Sequence, residues 1–550
     1  MDRISADIIL KNANIFTATD VNKEYTALAI KDDRIIHLGN EENTMSLAHD
    51  KTKIYDLEAK TVLPGFCDAH AHGLMGGRLM NHCLLSSGKT LNDYTSLIAE
   101  YYKSSPENSH IMGFGWAHVP FGPDGPDKKV LDKIIPDKPA AFLSIDYHSC
   151  WVNSEALKMA GIDSSTSDPL GGHLERYKNS HEPSGCLRES AAINLVINKL
   201  PEPTDEDWKL AVKNYQQQAA KNGITQLFDA GVLNHSQIKA FQAVSDLDDA
   251  DGIKVRITQS YVLDPQKGPD QLDEVDEVLR KFGKGKNYQV RVVKIFMDGA
   301  IEGHTGFLLQ SYSDRNGFLG KPVWDSGLFE KTITELDKRG IQIHVHTIGD
   351  GAVNAALNGF EKATQENGRR DSRHTQAHIE LADGKDIKRF ADLGVFASFQ
   401  PAWFYMDNNY FKATIPLLSG SRSDRRYMLN NFINAGVPVA FGSDWPWGNV
   451  SSSMNPLDAI GTAVTRENPN DHMMMVYESA QRVDLITALK KHTIGGAMQN
   501  FNEKITGTLE AGMKADIVVL NTNIFKIKPE ELFKTKVQMT IFDGEIVFTE

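Results

Sequence analysis

The 550-residue chain predicts an α/β fold: a (β/α)8 barrel with a composite small β-sandwich built from both termini and a cap inserted after the first barrel strand. Three observations predict it. Through the middle of the chain, apolar strand-like runs alternate with amphipathic helical stretches. The runs number eight, as a parallel sheet closed by helices requires. Short strand signals mark both ends, too few at either end to bury a core alone, so the two ends complete one sheet or sandwich. About 150 residues separate the first two runs, a stretch that the eightfold repeat leaves over and an inserted subdomain accounts for.

In chain order, residues 7–10, 27–30, 34–38 and 53–56 read as strands between Asp, Asn, Gly and Lys clusters. At the other end come 516–520, 537–541 and 545–548, the last two joined by an Asp543-Gly544 hairpin signal. Residues 1–62 plus 505–550 are therefore assigned to the composite β domain, with the termini as neighbours. Residues 63–504 are assigned to the barrel. Its strands are expected at 62–70, 223–229, 255–262, 290–296, 341–348, 374–380, 395–400 and 437–443. Helices are expected at 235–247, 272–282, 328–339, 352–364, 385–393 and 425–435. Residues 74–203 are assigned to the cap.

Composition narrows the class. Lys and Arg total 59 against 72 Asp and Glu, a net charge of −13 that repels phosphate backbones and anionic membranes, so no nucleic acid and no membrane partner is expected. Four cysteines without a C-x-x-C pair indicate neither a thiolate zinc knuckle nor a disulfide framework, and a reducing, cytoplasmic location is the default. The first residues lack the pattern of a secretory signal, and no apolar run approaches the roughly 18 residues of a membrane span. Composition leaves assembly open, a homodimer being the commonest arrangement of soluble oligomers.

Chemistry on a barrel belongs at the C-terminal strand ends. There, Pro64-Gly65-Phe66-Cys67-Asp68-Ala69-His70-Ala71-His72 sets two imidazoles on one face of an extended segment. Lys294 is buried within the apolar run Val292 to Phe296, where an ammonium is costly. Gln342, His344 and His346 share a face, His346 nearest the tip; His378 ends the sixth run, and Gly442-Ser443-Asp444 delivers a carboxylate to the rim. Four histidines, a lysine and an aspartate suit one or two borderline divalent cations, zinc first, with iron, manganese or nickel also accommodated. A neutral Lys294 amine reacting with CO₂ would give a carbamate whose oxygens bridge two metals; alternatively the ammonium pairs with Asp298 or Asp444. His344 is read as a satisfied histidine of the barrel layers, Cys67 as a small hydrophobe, and Asp350 as the cap of a helix starting near Ala352. Trp116, Trp151, Trp403, Phe404, Tyr405, Trp445 and Trp447 either wall an apolar substrate group or pack cap against barrel. The acidic stretch 246–251 is read as a solvated helix end.

These motifs resemble the amidohydrolase superfamily over nearly the whole chain. The likeness extends to the branch containing N-substituted formamide deformylases, the amidohydrolase-3 type. It is carried by Pro-Gly-Phe-x-Asp-x-His-x-His, by residues 146–154, by Lys294 to Gly299, by His346-Thr347-Ile348-Gly349-Asp350, by Gly442 to Pro446, and by the tail from Gly507 to Leu520. The resemblance implies a TIM-like barrel with the composite β domain. It implies that His70, His72 and Asp444 bind the more buried metal, that His346 and His378 bind the exposed one, and that Lys294 bridges them. It also implies a small-molecule substrate whose C–N amide bond, of an N-acyl or N-formyl amide with an apolar substituent, is cleaved by a metal-activated hydroxide. Asp444 would carry the proton, and His148 on the cap either donates a hydrogen bond to substrate or oxyanion or holds the cap through a backbone carbonyl. Competing expectations are a cyclic amide, amidine or carbamate substrate on the same site, or a non-catalytic binding or regulatory protein on the hydrolase scaffold. Ala377 stands before His378 where the family usually has an acidic residue, so the group orienting that ring is not given by the motif.

Overall fold

A computed structural model describes residues 5–19, 24–122, 124–145, 147, 149–169, 172–233, 235–405, 414–418, 420–447, 453–471, 476 and 478–550. Eight strands, Phe66–Ala71, Ile224–Asp229, Arg256–Val262, Tyr288–Phe296, Gln342–Thr347, Thr375–His378, Phe396–Phe399 and Val439–Phe441, follow one another around a single sheet. Every neighbouring pair is parallel. The sheet is nearly closed. Its seam between last and first strands is bridged where the Asp444 amide donates to His70 O at 2.7 Å. There a Cβ on Gly442 would stand 2.4 Å from the His70 nitrogen, so only glycine lets the two backbones meet.

Helices return between the strands with the burial their periodicity demands. Leu272–Phe282 buries Leu272, Val275, Val278 and Phe282, one stripe of a helical surface. Three of the helix readings need correction. Helix Asp350–Asn367 takes Gly349 as its N-cap without a side-chain bond, and Asp350 instead accepts from Leu309 N at 2.9 Å and pairs with Arg425 at 3.3 Å. Within 246–251, Asp248 is buried and accepts from Asn287 N at 3.0 Å, which pins that helix end to the fourth strand. The expected helix at 425–435 shortens to Leu429–Asn434, because Arg425 and Arg426 are drawn to Asp350 and Glu380 and Tyr427 adopts a φ of 46°.

The expected first run, 62–70, is two strands. Thr61–Pro64 leaves the barrel to pair with Asn14–Ile15 and with Ile517–Leu520. Gly65 makes the break, its amide donating to Asp516 O at 2.8 Å while any Cβ there would meet Thr225 Oγ1 at 2.2 Å. Both halves are buried, so hydropathy runs on without interruption. The five-stranded sheet so formed, completed by Val537–Phe542 and Glu545–Thr549, is composite. The four N-terminal strands Ile8–Lys11, Ala27–Lys31, Arg34–Gly39 and Lys53–Asp56 make a sheet of their own. Ile8, Leu10, Leu28 and Ile30 of one sheet share a core with Val62, Ile517, Val519 and Ile541 of the other.

Within the 74–203 interval six strands, from Cys83–Leu84 to Pro183–Arg188, form a fourth sheet. Trp116 and Trp151 lie inside its core, their indole N–H groups bonded to Phe142 O and Asp127 O, so they pack this unit rather than line a site. Among the described residues no helix is long and apolar enough to cross a membrane.

Candidate metal centre

His70 sits at the end of the first strand and His72 one step beyond it, both buried. Asp444 follows the eighth strand on a turn that the sequence builds with care. Asp68 accepts from Ser443 N at 2.9 Å, from Ser443 Oγ at 2.5 Å and from His70 N at 3.3 Å, locking the two strand ends to one carboxylate. One ligand atom from each of His70, His72 and Asp444 lies within 4.8 Å of the others, the single such trio among the described residues. Asp444 Oδ1 stands 3.3 Å from His70 Nε2 and 3.6 Å from His72 Nε2.

Ring nitrogens are engaged by neighbouring groups, which fixes how the imidazoles are turned. His72 Nδ1 donates to Gly231 O at 3.1 Å. His378 Nδ1 donates to Gln400 Oε1 at 2.8 Å, so a glutamine from the seventh strand's end does the orienting that Ala377 cannot. His70 Nδ1 meets His344 Nε2 at 2.8 Å. That contact corrects the picture of His344 as a histidine satisfied in its own layer: one nitrogen serves His70 and the other, Nδ1, is buried without a hydrogen-bond partner among the described residues.

The remaining groups gather less tightly. His378 Nδ1 is 3.9 Å from Asp444 Oδ2, and its ring lies 4.7 Å from that of His70 and 4.5 Å from that of His346. His346 Nε2 is 3.3 Å from Gly299 O. Lys294 Nζ lies 3.5 Å from His70 Nε2. Its expected partner Asp298 accepts instead from Phe307, Ile348 and Gly349 amides at 2.8–2.9 Å. Burial pulls the Lys294 amine down to about 7, against the opposing charges of Asp444 and Asp229. Burial likewise raises Asp444 well above the carboxylate range and holds His70 and His378 well below the ordinary imidazole value, as neutral donors. Cys67 is buried, its Sγ receiving Asn500 Nδ2 at 3.6 Å away from the trio, as a small hydrophobe should be. His148 lies outside the described residues.

Neutral imidazoles with a ring nitrogen held, beside a buried carboxylate oxygen that has no hydrogen-bond partner among the described residues, fit a divalent cation. Aromatic rings frame the same mouth. Trp447 lies 5.6 Å from His72 and 4.2 Å from Tyr147, and Phe114 meets it edge-on at 5.4 Å. Trp403 stacks on His378 at 5.4 Å. Phe404 packs against Tyr427 in the interior, and Trp445 fills the space that Gly76 leaves. The sequence pattern did not reveal Asp68, Gln400, Tyr147 or Phe114 as site supports; a local signal was present for Asp68, two residues before the His-x-His pair, and for Tyr147, within residues 146–154.

The chain is 29% identical over 528 residues to Protein LONG AFTER FAR-RED 3 of Arabidopsis thaliana, across 94% of this chain and 88% of that one. It is 25% identical over 549 residues to N-substituted formamide deformylase of Arthrobacter pascens, across 98% and 97%. The fold matches the crystal structure of an uncharacterized metal-dependent hydrolase from Pyrococcus horikoshii with a TM-score of 0.75 at 22% identity, across 95% and 99%. Residues 53–548, which include all eight barrel strands and the buried histidine–aspartate trio, match the amidohydrolase family, and the chain belongs to it as a hydrolase of carbon–nitrogen bonds.

Proposed function

We propose that this centre hydrolyses the amide C–N bond of a small N-acyl or N-formyl substrate bearing an apolar group. The observation that carries the reading is the convergence of His70 Nε2, His72 Nε2 and the unpartnered Asp444 Oδ1, each oriented by a buried neighbour. A divalent cation, zinc first, supplies Lewis acidity and a nucleophile at neutral pH when held there. His70, His72 and Asp444 would hold it. Asp444, raised by burial, is suited to accept the proton of the attacking water and return it to the leaving nitrogen, which departs poorly until protonated. A Lys294 amine near neutrality, without a carboxylate within salt-bridge reach among the described residues, is suited to form a carbamate. With it, His346 and His378 would hold a second ion. The Trp447, Tyr147 and Phe114 rings beside His72 supply an apolar wall, and the deformylase relative supports a formamide as the first substrate to try.

A one-ion form is the second reading, favoured by the engagement of His346 Nε2 with the Gly299 carbonyl. Metal quantification on purified protein, together with His70→Ala and Lys294→Ala and a panel of formamides, acyl amides, cyclic amides and carbamates, tests the proposal. Stoichiometric transition metal and turnover of formamides or acyl amides, with loss of both in His70→Ala, is expected. A Lys294→Ala variant that keeps one ion and activity selects the one-ion form. A wild-type chain without metal, or a His70→Ala variant that retains metal and rate, would overturn the proposal.

A further inference from the structure

We infer that His344 is the positioning residue for His70, and that this imidazole–imidazole pair sets how tightly the centre holds its cation; the inference rests on the metal reading above. Strand register places His344 beside Lys294, facing the barrel interior one layer below His346. Its ring is stacked on Phe228 at 4.3 Å and 18°, which fixes its plane, and its Nε2 lies 2.8 Å from His70 Nδ1. It is 1% exposed.

The hydrogen-bond pattern dictates the rest. For His70 to offer the lone pair of Nε2, its proton must reside on Nδ1 and point at an acceptor. The atom in reach is His344 Nε2, so His344 must be neutral with its own proton on Nδ1. That Nδ1 has no hydrogen-bond partner among the described residues. His72 and His378 differ, since their outer nitrogens donate to oxygen atoms, of Gly231 and Gln400. An imidazole acceptor bound to a buried, unsatisfied N–H is a weaker orienting group than those oxygens. His70 is therefore the most adjustable of the three rings, and its grip on the cation depends on residue 344.

Chelator competition with Zn²⁺ and the d–d absorption of the Co²⁺-loaded protein test this on wild type, His344→Leu and His344→Gln. The glutamine carries an oxygen that can accept from His70 Nδ1, whereas leucine fills space without accepting. Removing the acceptor is expected to weaken Zn²⁺ binding about 10- to 100-fold and to shift the Co²⁺ bands, and His344→Gln to restore both. Circular dichroism of the metal-free variants establishes that each is folded. Wild-type affinity and bands in His344→Leu, or an equal loss in folded leucine and glutamine variants, overturn the positioning role and leave His344 a packing residue. A wild-type chain that takes up no Zn²⁺ or Co²⁺ overturns the metal reading itself and this inference with it.

Discussion

Asp444 occupies the left-handed region at φ 56°, and His378 does so at φ 75°, although neither is glycine. Side chains bear that conformation only where their surroundings over-determine it, which occurs most often at functional sites. Here the Asp444 amide is held by His70 O and its neighbour Ser443 by Asp68, while Ile379 N, next to His378, donates to Thr347 O at 2.8 Å. The backbone strain thus aims two side chains at one point. Asp444→Asn keeps the shape and removes the proton acceptor. Its kcat is expected to fall by about 10²- to 10⁴-fold, read by steady-state kinetics with metal content measured alongside; an unchanged kcat at full metal content would assign the proton to another group. The principal polar residues of the centre were legible as residue types at strand ends. Their orienting partners were not, because Gln400 and Gly231 reach His378 and His72 across strands that lie far apart in the chain.

At the scale of elements, apolar periodicity located all eight barrel strands because a strand buried on both faces must be apolar whatever surrounds it. It could not divide 62–70, since Thr61–Pro64 and Phe66–Ala71 are equally buried in different sheets. Polar clamps between elements were invisible for a related reason: a charged residue on a helix reads as solvated until its partner is placed. Asp337 shows this. It sits near the end of helix Ser326–Lys338 and holds His374 Nε2 at 3.0 Å and Arg370 Nε at 2.8 Å, joining that helix to the approach of the sixth strand. Burial works to raise its carboxyl, but hydrogen bonds from His374 and Asn367 and the neighbouring positive charges prevail and hold it at about 2. Burial also pulls His374 below its ordinary value, so Arg370 is the dependable counter-charge. With the folded value below the unfolded 3.8, the contribution is complete above 3.8 and is lost as the pH falls through about 2. Asp337→Asn is expected to flatten the acid limb of the unfolding free energy across that window in urea melts. Parallel limbs for variant and wild type would assign acid lability elsewhere.

Across the whole molecule, the C-terminal strands are built into the barrel's support. Arg256, on the third barrel strand, meets Asp516 at 2.9 Å and also pairs with Asp543, all three largely buried. Thr540 Oγ1 donates to Ala220 O at 2.7 Å. Removing one partner of a buried ion pair leaves the other charge uncompensated, so Asp516→Ala is expected to cost about 3–5 kcal/mol in denaturant unfolding. A loss below about 1 kcal/mol would mean that Asp543 and solvent satisfy Arg256 without it. The sequence by itself determined the barrel, the sandwiching of both ends and the identity of the polar groups at the mouth, because hydrophobic period and strand-end chemistry are local properties of the chain. Only the tertiary structure decided that His70 and His72 turn their Nε2 atoms to Asp444, that His344 braces His70 and Gln400 braces His378, and that Lys294 stands without Asp298. Those outcomes depend on distances of about 3 Å between residues that lie far apart in sequence, and hydrogen bonds that short-ranged exist only once the sheet has closed.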